Sequence, residues 1–227
     1  MNNKSNAVLE KQREKIKKNI AYRFSKRAMD IVCSVIALVL LSPVFLATAL
    51  AIVIEDGGPV IYKQKRVKKG KKDFYIYKFR SMYRDAEKIH DRMKEESGTT
   101  DISFKMGDKE DPRITKVGRF IRKTNIDELP QLLNIIAGDM SIVGPRPLAR
   151  YEFEDEQQKY EGLYDERYDV PQGLTCYWQT NFSKRGEISF DERMQMDADY
   201  ARDANFWIDI KLIVKTAVYT IAGKAGY

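Results

Sequence analysis

Two adjacent carboxylates, Asp127 and Glu128, are the residues of this chain whose types and spacing best fit chemistry. They precede Pro130, which is typical of the first position of a helix. Unpaired backbone N–H groups and the positive end of the helix dipole favour an anionic side chain there, and also a phosphate docked beside it. Because neighbouring side chains point in different directions, one acid can attack phosphorus while the other holds a divalent cation. The simpler alternative is that both are ordinary acids in the first turn of a helix.

Basic residues surround this acidic pair in the sequence. Arg122 lies a few residues upstream, and Arg146 lies between two prolines that restrict its loop. Lys78 and Arg80 follow a run that is typical of a β-strand. Arginine suits bidentate phosphate binding and lysine supplies a compact charge. Two carboxylates among several cations favour phosphoryl chemistry, and the sequence contains no GxxxxGK[ST] loop that would indicate a P-loop nucleotide fold.

The composition argues against several other kinds of catalysis. The chain has one histidine and two cysteines, so any catalysis must depend on carboxylates, lysines and arginines. Cys33 and Cys176 form no metal motif, and we expect both to be inert packing residues. A net charge of +7 suits an anionic partner, either nucleic acid, lipid headgroups or phosphorylated substrates.

An uncharged apolar run at residues 31–54 is the predicted membrane anchor. As a straight helix it would be about 36 Å long, enough to cross a bilayer core of roughly 30 Å. Pro43 should kink this helix, and Ser42 can donate a hydrogen bond to a carbonyl that the break leaves free. Lysines and arginines flank both ends, so both ends resemble cytoplasmic segments. We therefore predict a re-entrant helix–break–helix; the alternative is a kinked spanning helix.

The elements that must position the acids lie mainly after this anchor. We divide the chain of 227 residues into a basic juxtamembrane segment at 1–27, the broken membrane helix at 28–56 and a cytoplasmic catalytic domain at 57–227. Two β-branched and aromatic runs on either side of Gly70 predict a hairpin. The fold is expected to be α+β, a small, mostly helical domain with a short β-hairpin. Helices are predicted at 85–96, 117–122, 131–137, 148–160 and 189–200, with a last helix after Asn205 and a loop at 97–113.

Several motifs occur together in a pattern that resembles one known family. They are residues 26–31, the Ser42-Pro43 pair, residues 78–82, residues 122–131 and residues 138–147. From about residue 26 to about residue 219 the chain resembles the bacterial sugar transferases, the monotopic phosphoglycosyl transferases that start polyprenol-linked glycan assembly. The resemblance implies that a sugar 1-phosphate moves from a UDP-sugar to undecaprenyl phosphate with Mg²⁺, and that UMP is released. It also implies a re-entrant helix at the cytoplasmic face of the membrane.

The resemblance also implies roles for individual residues. Asp127 would be the nucleophile that forms a covalent phosphosugar adduct, and Glu128 would be the metal ligand. Arg146 would contact the uridine diphosphate. The phosphates would be bound by Lys78, Arg80 and Arg122.

The part of the chain after residue 165 departs from the family pattern. The family's Pro-Gly-x-Thr-Gly turn appears at 170–176 with its proline shifted by one, and its Gln-x-x-Gly-Arg loop appears altered at 179–186. These changes leave open whether Arg185 replaces the family arginine, and Asp197 is assigned only a structural role.

A second interpretation of the sequence is that the protein is a non-catalytic, membrane-tethered binder of anionic lipid or nucleic acid. Such a binder has no use for an acidic pair among arginines, so we expect a transferase without a nucleic-acid partner. The UDP-sugar, the glycan pathway and the oligomeric state, with a homodimer as one alternative, stay open.

Overall fold

The computed structural model describes residues 20–97, 111–181 and 188–221, and it begins with two helices separated by a sharp break. Helix α1 (Ile20–Leu40) and helix α2 (Ser42–Asp56) are bent by 61°. Pro43 has no N–H group to donate to the carbonyl of Val39, and the hydroxyl of Ser42 donates to that oxygen at 2.8 Å. The predicted break and the predicted role of Ser42 are confirmed.

The described part of the chain contains no single helix that is long and apolar enough to cross a membrane. Helices α1 and α2 are long and apolar enough for a membrane segment only when they are taken together, as a bent pair. The segment predicted at 1–27 is described only from Ile20, where α1 already begins. The rest of that segment, most of the predicted loop at 97–113 and residues 182–187 with Arg185 lie outside the described residues.

One stripe of α1 packs against the rest of the protein. Tyr22, Lys26, Asp30 and Ser34 recur every four residues on one helix face, and all four are buried. The ammonium of Lys26 is 2.9 Å from the carboxylate of Asp209 and also donates to a backbone carbonyl. The Asp30 carboxylate accepts hydrogen bonds from the chain at residues 141 and 142. The amino-terminal part of α1 is therefore attached to the domain through buried polar contacts.

The predicted hairpin is confirmed. Strands β1 (Ile61–Lys68) and β2 (Lys72–Phe79) are antiparallel, with Ile61 opposite Phe79, and Gly70 adopts a positive φ of 72° in the turn. The buried side chain of Asn134 docks on the outer edge of β2. It accepts from the backbone N–H of Tyr77 at 2.9 Å and donates to the carbonyl of Tyr75 at 2.7 Å. A helix is thereby fixed to the strand that carries Lys78.

Three short helices follow the hairpin at positions close to those predicted. They are α3 (Ala86–Ser97), α4 (Lys116–Lys123) and α5 (Gln131–Ala137), which ends at Gly138 with a φ of 86°. Between α4 and α5, residues Ile126–Glu128 form a 3₁₀ turn. The two acids therefore lie in a separate turn just before the N-terminus of α5, and not in the first turn of that helix, which was the simpler alternative.

A parallel pair of three-residue strands was not predicted. Strand β3 (Ser141–Val143) lies beside β4 (Gly173–Thr175). The backbones are closest at two glycines, since a Cβ added to Gly173 would lie 2.1 Å from the nitrogen of Gly144. The loop at residues 144–147 therefore begins directly after β3, at a position that accepts only glycine.

Three further helices complete the α+β fold. They are α6 (Arg150–Tyr160), α7 (Phe190–Asp203) and α8 (Phe206–Ile221), with a 3₁₀ turn at Asp165–Tyr168 between α6 and β4. The predicted capping box of α7 is present, with Ser189 and Glu192 bonded to each other's backbone N–H groups. Helix α8 buries Leu212 in the core, whereas Trp207 is 77% exposed. The apolar face of α8 is thus only partly core.

Candidate active site

The two adjacent acids lie side by side in the 3₁₀ turn that Asn125 opens from a left-handed conformation with φ 55°. Asp127 is 9% exposed. The ammonium of Lys78 lies 2.9 Å from Oε1 of Glu128 and 4.0 Å from Oδ2 of Asp127. The guanidinium of Arg146 donates to the same Oε1 at 3.0 Å. The structure therefore brings both predicted acids together with two of the predicted cations.

The environments of the two acids drive their pKa values apart. Burial raises the pKa of Asp127 to about 6, against the opposing influence of Lys78. Burial alone would also raise the pKa of Glu128, but Arg146 and Lys78 hold that pKa well below its ordinary value. Glu128 is thus a permanent anion, whereas Asp127 is an anion whose charge is poorly compensated. A poorly compensated carboxylate is suited to attack, and a permanent one is suited to charge balance.

Arg122 is a third predicted cation near the acids. Its positive charge lowers the pKa of Asp127, after the larger effects of burial, Lys78 and Glu128. Its Nε donates to the hydroxyl of Ser81 at 2.8 Å, which orients the guanidinium beside the end of β2. The charges of three cations, Lys78, Arg122 and Arg146, therefore act on one acidic turn.

Arg80 lies elsewhere. Its Nη2 donates to the carbonyl of Gly57 at 2.6 Å and is 3.2 Å from the carboxylate of Asp56. These contacts place a cation at the carboxyl end of α2, where a positive charge complements the helix dipole. Among the described contacts Arg80 touches neither acid, so its binding of phosphate stays a prediction.

The loop that carries Arg146 is held along its backbone. The N–H of Gly173 donates to the carbonyl of Pro145 at 2.9 Å, and Arg66 donates to that of Pro147 at 3.1 Å. The guanidinium of Arg167 donates to the carbonyl of Arg146 itself at 2.7 Å. The flanking prolines restrict this loop, and these three contacts fix its position.

Sequence reasoning missed Arg66 and Arg167. Both are arginines with little exposed surface, and an arginine is rarely buried without a partner acid. The partners are Glu152 and Asp197, which lie 86 and 30 residues away in the chain. The family resemblance already pointed to Asp197, but the sequence did not connect it to Arg167.

The acidic pair offers the carboxylate oxygens that Mg²⁺ prefers as ligands. Among the described residues no group of three or more His, Cys, Asp or Glu side chains is arranged to hold a metal. Mg²⁺ in phosphoryl-transfer sites is typically held by one or two carboxylates together with substrate phosphates. The permanently ionised Glu128 beside Asp127 fits such a shared site.

Known proteins resemble this chain over most of its length. An undecaprenyl-phosphate galactose phosphotransferase of Salmonella typhimurium is 40% identical over 223 residues, which cover 94% of this chain and 44% of the relative. A UDP-glucose:undecaprenyl-phosphate glucose-1-phosphate transferase of Escherichia coli is 39% identical over 90% of this chain and 42% of its own length. A UDP-N-acetylgalactosamine-undecaprenyl-phosphate N-acetylgalactosaminephosphotransferase of Aeromonas hydrophila is 39% identical over 89% of this chain and 45% of its own length.

This chain spans less than half the length of these curated relatives. The family model described as bacterial sugar transferase matches residues 21–223, which include the acidic turn, the Arg146 loop and both bent helices. The chain therefore belongs to the bacterial sugar transferase family.

Proposed function

We propose that this protein transfers a sugar 1-phosphate from a UDP-sugar to undecaprenyl phosphate, giving undecaprenyl-diphosphate-sugar and UMP. The observation that carries the proposal is the acidic turn, in which Asp127 is buried, lies 4.0 Å from Lys78 and is influenced by the charges of Arg122 and Arg146. The relatives support the substrate classes, because their names state undecaprenyl phosphate as acceptor and, in two cases, a UDP-sugar as donor. This product would start the assembly of a capsule, an exopolysaccharide or a glycoprotein glycan.

The reaction would proceed in two displacements. A carboxylate oxygen of Asp127 forms a bond to the phosphorus that carries the sugar, and the bond from this phosphorus to UMP breaks. A phosphate oxygen of the lipid acceptor then attacks the same phosphorus, and the Asp127 carboxylate leaves. This route lets the water-soluble UMP depart before the lipid acceptor arrives. It suits two substrates that come from different phases.

The cations would bind and orient the diphosphate. A loose phosphoryl transition state needs charge neutralisation and in-line positioning more than proton transfer. Lys78, Arg122 and Arg146 approach the acidic turn from three different elements, so they can contact phosphate oxygens from three directions. When bound, Mg²⁺ would neutralise further charge on the diphosphate, and Glu128 is the residue that would hold it.

The test is a panel of UDP-sugars incubated with the full chain, undecaprenyl phosphate and Mg²⁺. We expect repeated turnover for at least one donor, with UMP and a lipid-linked sugar diphosphate formed in equal amounts. Omission of the lipid should stop turnover after one equivalent of UMP. The transferase proposal would be wrong if no donor released UMP while the protein still bound anionic vesicles or nucleic acid, because that outcome describes the tethered binder.

We also propose that α1 and α2 enter and leave the membrane at its cytoplasmic face. Near the start of the pair, Arg27 donates to the carbonyls of Ile135 and Ile136 at the end of α5. At its end, the Glu55 carboxylate accepts from the backbone N–H groups of Lys116 and Val117 at 2.7 and 2.8 Å. Both ends of the pair therefore contact the same domain, which supports a re-entrant course. The stretch between these two ends carries exposed apolar side chains, among them Leu40 next to the break and Leu46 and Leu50 in α2.

Replacing Pro43 with alanine is expected to favour a spanning helix and to reduce transfer. Alanine restores an N–H donor for Val39 and removes the ring that forces the bend. The measurement is the labelling of single cysteines near positions 5 and 70 from each face of the membrane, together with the transfer rate. In the parent both positions should be labelled from the cytoplasmic face.

The matched control is Leu46→Ala, which shortens an exposed apolar side chain of the same helix without adding a backbone donor. It should leave topology and rate close to those of the parent. If Pro43→Ala changed neither topology nor rate, the bend would have less importance than the proposal gives it. Labelling of positions 5 and 70 from opposite faces in the parent would overturn the re-entrant course itself.

A further inference from the structure

A fully buried ion pair lies behind the Arg146 loop. Arg167, in the 3₁₀ turn before β4, and Asp197, in α7, approach to 2.8 Å, and the side chains of both are 0% exposed. Taking two charges out of water is costly, and a buried pair is often no more stable than well-packed apolar residues. The stability of the core alone therefore does not explain why a charged pair lies here. The contacts of the pair with its surroundings offer another explanation.

The pair reaches the main chain of Arg146 through Arg167. The Nη2 of Arg167, the atom that pairs with Asp197, also donates to the carbonyl of Arg146 at 2.7 Å. Burial raises the pKa of Asp197, and the backbone N–H of Arg146 lowers it by a smaller amount. Asp197 thus holds the arginine that holds the backbone of Arg146. The side chain of Arg146 donates to Glu128 at 3.0 Å.

We propose that Arg167 and Asp197 are positioning residues for the donor diphosphate, which act by holding the backbone of Arg146 so that its guanidinium faces the acidic turn. This proposal rests on the proposed transferase function. Prolines on both sides of Arg146 limit its backbone angles, but they do not determine how far the loop stands from the acids. The ion pair limits that distance through the hydrogen bond from Arg167 to the carbonyl of Arg146. A displacement of about 1 Å at a binding residue can lower the rate about a hundredfold.

A purely structural role is the competing explanation, because the pair also joins α7 to the 3₁₀ turn. A second ion pair offers the matched control. Arg202 of α7 is 2.6 Å from Glu166 of the same turn, and no described contact connects this pair to Arg146. It joins the same two elements without reaching the loop. Arg202→Gln therefore removes a link between these elements and leaves the Arg146 backbone untouched.

Arg167→Lys tests the positioning role, because a lysine keeps the charge but not the side-chain length and planar geometry that place Nη2 against both Asp197 and the carbonyl of Arg146. We expect the KM for the UDP-sugar to rise about tenfold, with a smaller change in kcat. Asp197→Asn, which keeps the volume and removes only the charge, should act in the same direction. Arg202→Gln should leave the KM unchanged. Equal effects of Arg167→Lys and Arg202→Gln would show that the pair only joins the two elements.

A double-mutant cycle decides whether the effect passes through Arg146. In an Arg146→Ala background, Arg167→Lys should no longer change the KM for the UDP-sugar, because the side chain that it positions is gone. If the two effects on KM multiplied instead, Arg167 would act independently of Arg146 and the inference would be wrong.

Hydrogen exchange gives a readout that does not depend on activity. In Arg167→Lys and Asp197→Asn, the backbone N–H groups of Arg146 and of its non-proline neighbours Gly144, Leu148 and Ala149 should exchange at least about tenfold faster than in the parent, whereas Arg202→Gln should not accelerate them. Unchanged exchange at this loop in folded variants would overturn the inference. If the parent transfers no sugar phosphate, the proposed function fails, and the exchange measurement still decides whether the pair holds the loop.

Discussion

Replacing Asp127 with asparagine is expected to abolish sugar-phosphate transfer in a protein that folds normally. The amide has the same shape but cannot attack phosphorus, and removal of a nucleophile typically lowers kcat by about 10⁴-fold or more. The fold should tolerate the change, because burial already disfavours the charge of Asp127. The asparagine variant should therefore be at least as stable as the parent above pH 6.

Intact-protein mass spectrometry after mixing with the UDP-sugar alone should detect a phosphosugar adduct in the parent and none in Asp127→Asn. Peptide mapping should place the adduct on Asp127. The control is Asp85→Asn, which makes the same chemical change at an exposed acid paired only with Lys88 among the described contacts. Full activity of Asp127→Asn, or an adduct on another residue, would overturn the assignment of the nucleophile.

The carboxyl group of Asp127 should also determine the acidic limb of the pH profile of kcat/KM. Because the ionised form attacks, kcat/KM should rise with pH and level off above an apparent pKa of about 6. The contribution of Asp127 to the stability of the fold changes with pH in the opposite direction. The folded protein binds this proton up to about pH 6, whereas the unfolded chain loses it near 3.8, so the contribution to stability falls as the pH rises between these values.

Replacing Glu128 with glutamine is expected to reduce transfer by about 10²- to 10³-fold, the range typical for loss of one electrostatic group in an active site. The change removes the anion to which both Lys78 and Arg146 are bound. It also removes the residue that would hold Mg²⁺. Since the charge of Glu128 raises the pKa of Asp127, the acidic limb should also move to lower pH in this variant.

The measurement is the rate of UMP release as a function of Mg²⁺ concentration and of pH. The parent should show a saturable dependence on Mg²⁺, and Glu128→Gln should need a much higher concentration for half-maximal rate. Glu154→Gln is the control, because Glu154 is an exposed acid paired with Arg150 on the surface of α6. An unchanged Mg²⁺ dependence and acidic limb in Glu128→Gln would contradict both roles assigned to this residue.

Elements with local chemical markers could be predicted from the sequence. The hairpin turns at Gly70, α5 ends at Gly138, and α7 begins at the capping box of Ser189 and Glu192. Each marker acts within a few residues of the boundary that it sets. The acidic pair was equally visible, because its two members are adjacent and Pro130 follows closely.

Features that depend on distant partners could not be predicted in this way. Strands β3 and β4 have three residues each, too few to show a periodic pattern, and they pair across about 30 residues of chain. In the sequence Lys26 is one of several basic residues before the apolar run, and nothing nearby indicates its partner Asp209, which lies 183 residues away. Arg80 is two residues from Lys78 in the sequence, but its guanidinium binds the end of α2 and has no described contact with either acid. Long-range contacts decided these placements.

The side chain of Asn134 has a consequence for association between copies of this chain. It occupies the N–H of Tyr77 and the carbonyl of Tyr75, which are the groups that an added strand would need in the middle of β2. On the other edge, β1 donates from Val67 to the carbonyl of Leu148. Neither edge of the hairpin therefore offers a continuous row of free groups for strand addition. A homodimer that used this hairpin would therefore have to form through its side-chain surfaces, and the blocked edges protect the hairpin against edge-to-edge aggregation.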